Sequence, residues 1–292
     1  MPIAPAGVPP DAAPSPITLF RPAQQSVPLV FASAHSGRDY PADFIAAARL
    51  DALALRRSED GFVDELFGAA PVYGAPLLAA TFPRAFCDAN RERWELDPGM
   101  FEERLPSWVN TGSARVGAGL GTIARVVASG EAIYRRKLRF AEAERRVRLC
   151  WEPFHTALHE LVAETRRQFG TCLLVDCHSM PGNCIAPTPP ADVVLGDAHG
   201  TACGAAVVRR AEQALADMGY RVRRNDPYAG GFITRHYGRP HEGVHALQVE
   251  LCRPLYMDEA RMAKLPAFDG VRRDMTLLVA ALAGLGPALG DN

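Results

Sequence analysis

The sequence has no long hydrophobic run. Its longest apolar candidate, residues 277–289, falls short of a bilayer's thickness and contains Gly284, Gly286 and Pro287, which excludes a spanning helix there. The first 27 residues carry neither a basic segment nor an unbroken apolar stretch, so no signal peptide is read in them. The seven cysteines include no C-x-x-C pair, and Cys172, Cys177 and Cys252 sit in apolar runs where cysteine behaves as a small hydrophobe. A disulfide framework is therefore not expected, and a soluble protein of the reducing cytoplasm is. Net charge is nearly absent as well. At −1 there is no overall basic field to attract nucleic acid or an anionic membrane. The local clusters Arg135-Arg136-Lys137 and Arg145-Arg146 are interleaved with Glu131, Glu142 and Glu144. The i,i+4 pairs Glu131/Arg135 and Glu142/Arg146 predict a solvated helix face.

What is present is an ordinary globular composition, 48% hydrophobic and 22% charged over 292 residues, enough for one large domain or two small ones. Residues 1–27 are rich in Pro and Ala and predict an extended or disordered arm, with the folded domain spanning 28–292. Strands are expected at 28–34, 75–81, 171–176, 220–223 and 244–251, where short apolar runs are bounded by turn residues. Helices are expected at 42–50 (opened by Pro41), 59–69, 131–169 (bent at Pro153), 198–218 and from Asp258 onward. Residues 88–121 read as long loops, and no internal repeat is seen. Alternating strands and helices predict a single α/β domain with a mixed, mostly parallel sheet flanked by helices. Ligands in such sheets sit at the carboxyl ends of strands.

Two histidines occupy such positions. His35 follows an apolar strand and precedes Ser36-Gly37; His178 stands in Asp176-Cys177-His178-Ser179. Neutral imidazole is a common zinc ligand, and a catalytic zinc often takes two histidines and one carboxylate. Asp176, two residues from His178 on the same strand face, is placed to orient it. The carboxylate ligand is sought in Glu59, Asp60, Asp64 and Glu65, residues that could instead cap a helix. Glu250 lies in an otherwise largely apolar strand, where a carboxylate is costly unless paired or shifted in pKa. It is a candidate general base, with an ion pair to Arg253 as the structural alternative. Arg84 and Arg91, in loop text after a strand, suit a carboxylate-bearing substrate or plain surface pairing. His155 and His159 lack the pattern of a zinc-binding helix and read as a helix face. Gly200 and the pair Gly230-Gly231 read as loop glycines near the pocket.

Several blocks taken together resemble the N-formylglutamate amidohydrolase family. They are Ala34-His35-Ser36-Gly37-Arg38-Asp39-Tyr40-Pro41, Asp60-Gly61-Phe62-Val63-Asp64-Glu65-Leu66-Phe67, Asp88-Ala89-Asn90-Arg91 and Val175-Asp176-Cys177-His178-Ser179-Met180-Pro181. Leu195-Gly196-Asp197-Ala198-His199-Gly200, residues 227–235 and residues 248–259 continue the series in order. The resemblance implies hydrolysis of N-formyl-L-glutamate to formate and L-glutamate, a late step of histidine breakdown, on a fold similar to zinc carboxypeptidases. It implies His35 and His178 as metal ligands, Asn90 and Arg91 as a clamp for the substrate's α-carboxylate, and Glu250 as the base. Carboxypeptidases place an acidic ligand three residues after the first histidine, where this sequence has Arg38. Asp60 is therefore assigned to the metal, with Asp64 and Glu59 as alternatives. The implied cofactor is zinc, with other divalent ions as substitutes. Arg84 or Arg125 is expected to stabilise the oxyanion and Arg235 to hold the side-chain carboxylate. The implied partner is a small acidic N-acyl amino acid. A zinc hydrolase of another N-acyl amino acid or peptide-like amide is the alternative, and a non-catalytic binder of an acidic metabolite the second.

Overall fold

The most continuous apolar runs of the chain become its central strands. The computed structural model describes residues 15–182 and 191–286. Strands β1 (Ile17–Phe20), β2 (Leu29–Ser33), β3 (Leu77–Ala80), β4 (Cys172–Met180), β5 (Val193–Gly196), β6 (Val222–Arg224) and β7 (Val244–Cys252) form one sheet in the order β1-β3-β2-β4-β7-β5-β6. The β1/β3 and β5/β7 pairs are antiparallel and the other four parallel. The sheet is thus mixed and mostly parallel, as the alternating pattern predicts. β2 and β4 are buried throughout because both sheet faces are covered, the usual condition of parallel strands.

Alternation along each strand sorts its side chains into two cores. Leu29 and Phe31 of β2, Leu173 and Val175 of β4, and Leu247 and Val249 of β7 face one layer. Helices α3 (Val63–Leu66), α7 (Ala205–Asp217) and α9 (Phe268–Ala283) cover that layer. Val30 and Ala32, Cys172 and Leu174, and Val244 and Ala246 face the other. It is covered by α1 (Ala42–Ala47), α2 (Ala52–Arg56), α5 (Phe140–Arg146), α6 (Glu152–Phe169) and α8 (Phe232–Tyr237). The short helix α4 (Ala114–Gly117) and the β8 (Met257–Asp258)/β9 (Ala263–Lys264) hairpin lie outside the sheet.

Several sequence expectations are displaced. Order begins before residue 28: Ile17–Phe20 adds an edge strand, a position where the flanking Pro16 and Pro22 are tolerated. Residues 1–14 of the Pro/Ala-rich segment lie outside the described residues. Helix does not start at Glu131. Residues 131–139 instead form isolated bridges, with Arg135 Nε donating to the Ala48 carbonyl at 2.8 Å and Glu131 paired with Arg57. The i,i+4 pairs of a solvated face are accordingly not formed. Glu142 meets Arg136, and Arg146 is buried. Arg146 stacks on Phe44, Phe86 and Tyr134, the nearest ring centroid being 4.5 Å away. The bend at Pro153 appears as a π-helical stretch, Val147–Trp151, just before α6, where the proline withholds an N–H from the helical ladder.

Helix α7 starts at Ala205 rather than Ala198, because Ala198, His199 and Gly200 all have left-handed backbones (φ 52°, 56° and 85°). The helices expected at 59–69 and from Asp258 shrink to Val63–Leu66 and Phe268–Ala283. No described helix is long and apolar enough to cross a membrane. The six described cysteines are free thiols.

Candidate active site

The site begins where one sheet face changes character. On β4 the apolar Cys172 and Leu174 are followed on the same face by Asp176 and His178; on β7, Val244 and Ala246 are followed by Gln248 and Glu250. The two strands pair in parallel over nine rungs, so Asp176 lies opposite Gln248 and His178 opposite Glu250. β4 runs to Met180 rather than stopping at Asp176, and His178 is therefore a strand residue rather than a strand-end one.

His35 follows β2, and its carbonyl accepts from the Asp60 N–H at 3.0 Å. Gly37 lets the chain turn there, because a Cβ would overlap the Phe82 carbonyl. Asp60 stands before α3 and caps nothing. Its Oδ2 lies 2.8 Å from His178 Nδ1 and 3.3 Å from His35 Nδ1, while its Oδ1 accepts from Arg253 Nη2 at 3.0 Å and Ser179 Oγ at 3.2 Å. The other acidic candidates are engaged elsewhere: Glu59 with Arg56 and Tyr40, Asp64 and Glu65 with Arg38. Arg253, considered as a partner of Glu250, serves Asp60 instead.

The far nitrogens of both rings are also held by carboxylates. His35 Nε2 is 2.7 Å from Asp88 Oδ1, and His178 Nε2 is 2.8 Å from Asp176 Oδ1, with Asn90 Nδ2 at 3.0 Å. The ligand atoms of His35, Asp60 and His178 lie within 4.8 Å of one another, and all three residues are buried. Two imidazoles and a carboxylate, each ring backed by a second carboxylate, suit a divalent ion such as zinc.

The electrostatics follow from burial and neighbours. Burial alone would raise the Asp60 carboxyl, but the two imidazoles override it and hold it well below the usual carboxylate range. Burial would lower His178, and Asp176 with Asp60 instead raises it well above an ordinary histidine. Burial works the other way at Glu250 and prevails: the carboxyl is pushed up to about 7, with His178 opposing and Asp60 and Asp176 adding to the rise. Gln248 Nε2 donates to Glu250 Oε1 at 2.8 Å.

These groups open into a cleft of about 390 Å³ whose walls also include Arg84, Asn90, Arg91 and Arg235. Arg84 Nη2 donates to Asp88 Oδ2 at 2.8 Å. Arg91 is buried, with Nε on the Leu120 carbonyl and Nη1 on the Asn90 carbonyl. Asn90 Oδ1 accepts from the Ile233 N–H, and a Cβ on Gly231 would overlap the Asn90 amide. Arg125 is not brought to the cleft. Its guanidinium is held 2.8 Å from Asp97 at the surface, where a local carboxylate captures a long side chain. His155 lies on the inner face of α6 and is not among the metal-ligating group. It is buried, with Nε2 donating to the Ala89 carbonyl and Nδ1 3.0 Å from the Tyr237 hydroxyl.

Sequence reasoning passed over Asp88, Gln248, Arg115 and His199, which line the cleft or back its histidines. Asp88 had a signal in its place two residues before Asn90-Arg91; its pairing with His35, 53 residues away, had none.

A buried imidazole pair sharing one carboxylate, with a glutamate of near-neutral pKa on the same rung as one of them, is the equipment of a hydrolytic enzyme built on an α/β sheet. The chain belongs to the N-formylglutamate amidohydrolase family, whose model matches residues 27–257. It is similar to the N-formylglutamate amidohydrolase of Ralstonia eutropha JMP134, whose crystal structure superposes with a TM-score of 0.89 at 40% identity, covering 94% of this chain and 99% of that one. It is 31% identical over 239 residues to the N-formylglutamate deformylase of Pseudomonas aeruginosa, covering 80% of this chain and 83% of that protein. A gene product of Agrobacterium tumefaciens shares the fold, with a TM-score of 0.62 at 17% identity over 93% of this chain and 96% of that one.

Proposed function

We propose that the protein hydrolyses N-formyl-L-glutamate to formate and L-glutamate. The observation that carries this reading is the shared rung of His178 and Glu250 beside Asp60 and His35. His35, Asp60 and His178 would hold the metal, zinc by the character of its donors. A divalent ion there supplies Lewis acidity, polarising the formyl oxygen and making water a better nucleophile at neutral pH.

The chain's own residues do the rest. Glu250, with a pKa near the working pH, takes a proton from the attacking water as the new C–O bond forms at the formyl carbon. It delivers that proton to the amide nitrogen as the C–N bond breaks, releasing formate and the free amine. Arg84 lies on the same wall and stabilises charge developing on the formyl oxygen. Asn90 and Arg91 bind the α-carboxylate and Arg235 the side-chain carboxylate. Asp88 and Asp176 fix the two rings, each taking a hydrogen bond at the nitrogen turned away from Asp60.

Formate release tests the reading. N-formyl-L-glutamate should be cleaved in preference to N-acetyl and N-succinyl amino acids. Chelation should abolish the activity and added zinc restore it. Preference for another acyl group would make the protein a sibling hydrolase. Glutamate binding without any cleavage would make it a binder, and full activity after verified metal removal would end the metal assignment.

A further inference from the structure

Arg91 is poorly equipped to hold a carboxylate by itself. Two of its three guanidinium nitrogens are spent on main-chain carbonyls, those of Leu120 at 2.8 Å and Asn90 at 2.7 Å. The third lies 3.8 Å from Asp88, a carboxylate already taken up by Arg84 and His35. A carboxylate bound bidentately needs a free fork, and Arg91 offers only part of one.

Arg115 supplies what is missing. It lines the same cleft from α4, and its guanidinium has no ion pair or hydrogen bond among the described residues. Two other arginines of that wall differ, Arg84 being neutralised on Asp88 and Arg253 on Asp60, while the Arg235 guanidinium is likewise without an ion pair among the described residues. The placement of Arg115 is built rather than incidental. Its carbonyl accepts from the Leu120 N–H at 2.8 Å, and the Leu120 carbonyl is the group that holds Arg91 Nε. One turn of chain, capped by the Ser113 hydroxyl on the Val116 N–H, therefore holds the backbone of Arg115 and the guanidinium of Arg91. Arg91 is lowered chiefly by burial; Asp88 and Glu95 oppose the fall, and the like charges of Arg84 and Arg115 add to it. Like-charged guanidinium groups facing one space are relieved by an anion placed there.

We propose that Arg115 completes the clamp with Arg91 and is a binding residue for the substrate's α-carboxylate, the group common to every N-acyl amino acid. The identity of the ligand rests on the proposed hydrolase function; the anion site itself does not.

The test compares Arg115→Gln and Arg115→Lys with the unaltered, zinc-loaded protein. KM and kcat are measured on N-formyl-L-glutamate and N-formyl-L-glutamine, and L-glutamate binding is measured by calorimetry. Losing a charge-assisted hydrogen bond should raise KM about tenfold to a hundredfold for both substrates alike, by more than kcat changes. Glutamate binding should weaken by a similar factor, and Arg115→Lys should recover part of it. Unchanged KM and glutamate binding would overturn the proposal, as would a rise confined to N-formyl-L-glutamate, which would place Arg115 on the side-chain carboxylate. If no N-formyl amino acid is cleaved while glutamate still binds through Arg115, the proposed reaction fails and the clamp stands. If glutamate neither forms nor binds, the clamp falls with it.

Discussion

Asp60 serves four partners, two imidazoles, a buried arginine and a serine, divided two to each carboxylate oxygen. Oδ2 faces the rings and Oδ1 takes Arg253 and Ser179. Such division makes single changes informative. Glu250→Gln preserves shape and the hydrogen bond from Gln248 but removes the proton acceptor; turnover should fall by about 10²–10⁴-fold while bound zinc, measured by elemental analysis, stays at its normal level. Asp88→Asn leaves every proposed ligand in place and weakens the support of His35. Zinc affinity, read by competition with a chelating dye, should drop about 10–100-fold, and an unchanged affinity would mean that Asp88 does not orient the ring. At this scale the sequence is legible where chemistry conflicts with surroundings: Glu250 in an apolar strand and a histidine in the β4 run both stand out. It is mute where a role depends on which distant groups meet. Nothing local to Arg125 announces that Asp97 will claim it, and nothing local to Arg115 announces that no carboxylate among the described residues will.

Elements read well when a long apolar run leaves one conformation available. β4 and β7 are of that kind, and their ends run on because each extends the other's ladder. Residues 131–139 mislead because their charges have helical spacing while their partners, Arg57 and the Ala48 carbonyl, lie on another part of the chain. Gly200 marks the left-handed turn at 198–200 in the sequence, but the helical pattern that follows masks where the turn ends. The turn is held from outside, by the Asp197 carboxylate on the Gly200 N–H at 2.9 Å and by Asn225, whose amide oxygen accepts from the Asp197 N–H at 3.0 Å. Close packing at element junctions gives its own prediction. Gly37→Ala would drive a methyl group into the Phe82 carbonyl at the exit from β2, and chemical denaturation should show a loss of about 1–3 kcal/mol. A variant as stable as the parent would show that the junction can yield.

The molecule as a whole is two apolar layers on either side of one sheet, and that much follows from alternation and composition. Its response to acid depends on a group buried under the sheet. His155 is pushed down to about 4, chiefly by burial and also by His236; the hydrogen bond to the Ala89 carbonyl and the charge of Asp176 oppose the fall. The unfolded chain takes up this proton near pH 6.5 and the folded protein does so only near 4. The contribution is therefore whole above about pH 6.5, declines as the pH falls toward 4, and changes no further below it. Its ceiling is on the order of 3 kcal/mol. Urea unfolding of the parent and of His155→Gln across that range should show the difference between them shrinking with acidity; parallel curves would remove His155 from the account.

The nine-rung pairing of β4 with β7 has a mechanical meaning. Glu250 and His178 ride on hydrogen-bonded neighbours in the middle of a sheet, so the interval between them cannot be altered by anything that bends a loop. Arg91, Arg115 and Arg235 stand outside that sheet, on irregular chain or short helices. The proposed base and one proposed metal ligand thus ride on the sheet, and the arginines proposed to bind the substrate do not. Changes in those outer segments would retune the proposed binding to another acid while the His178–Glu250 rung stays fixed.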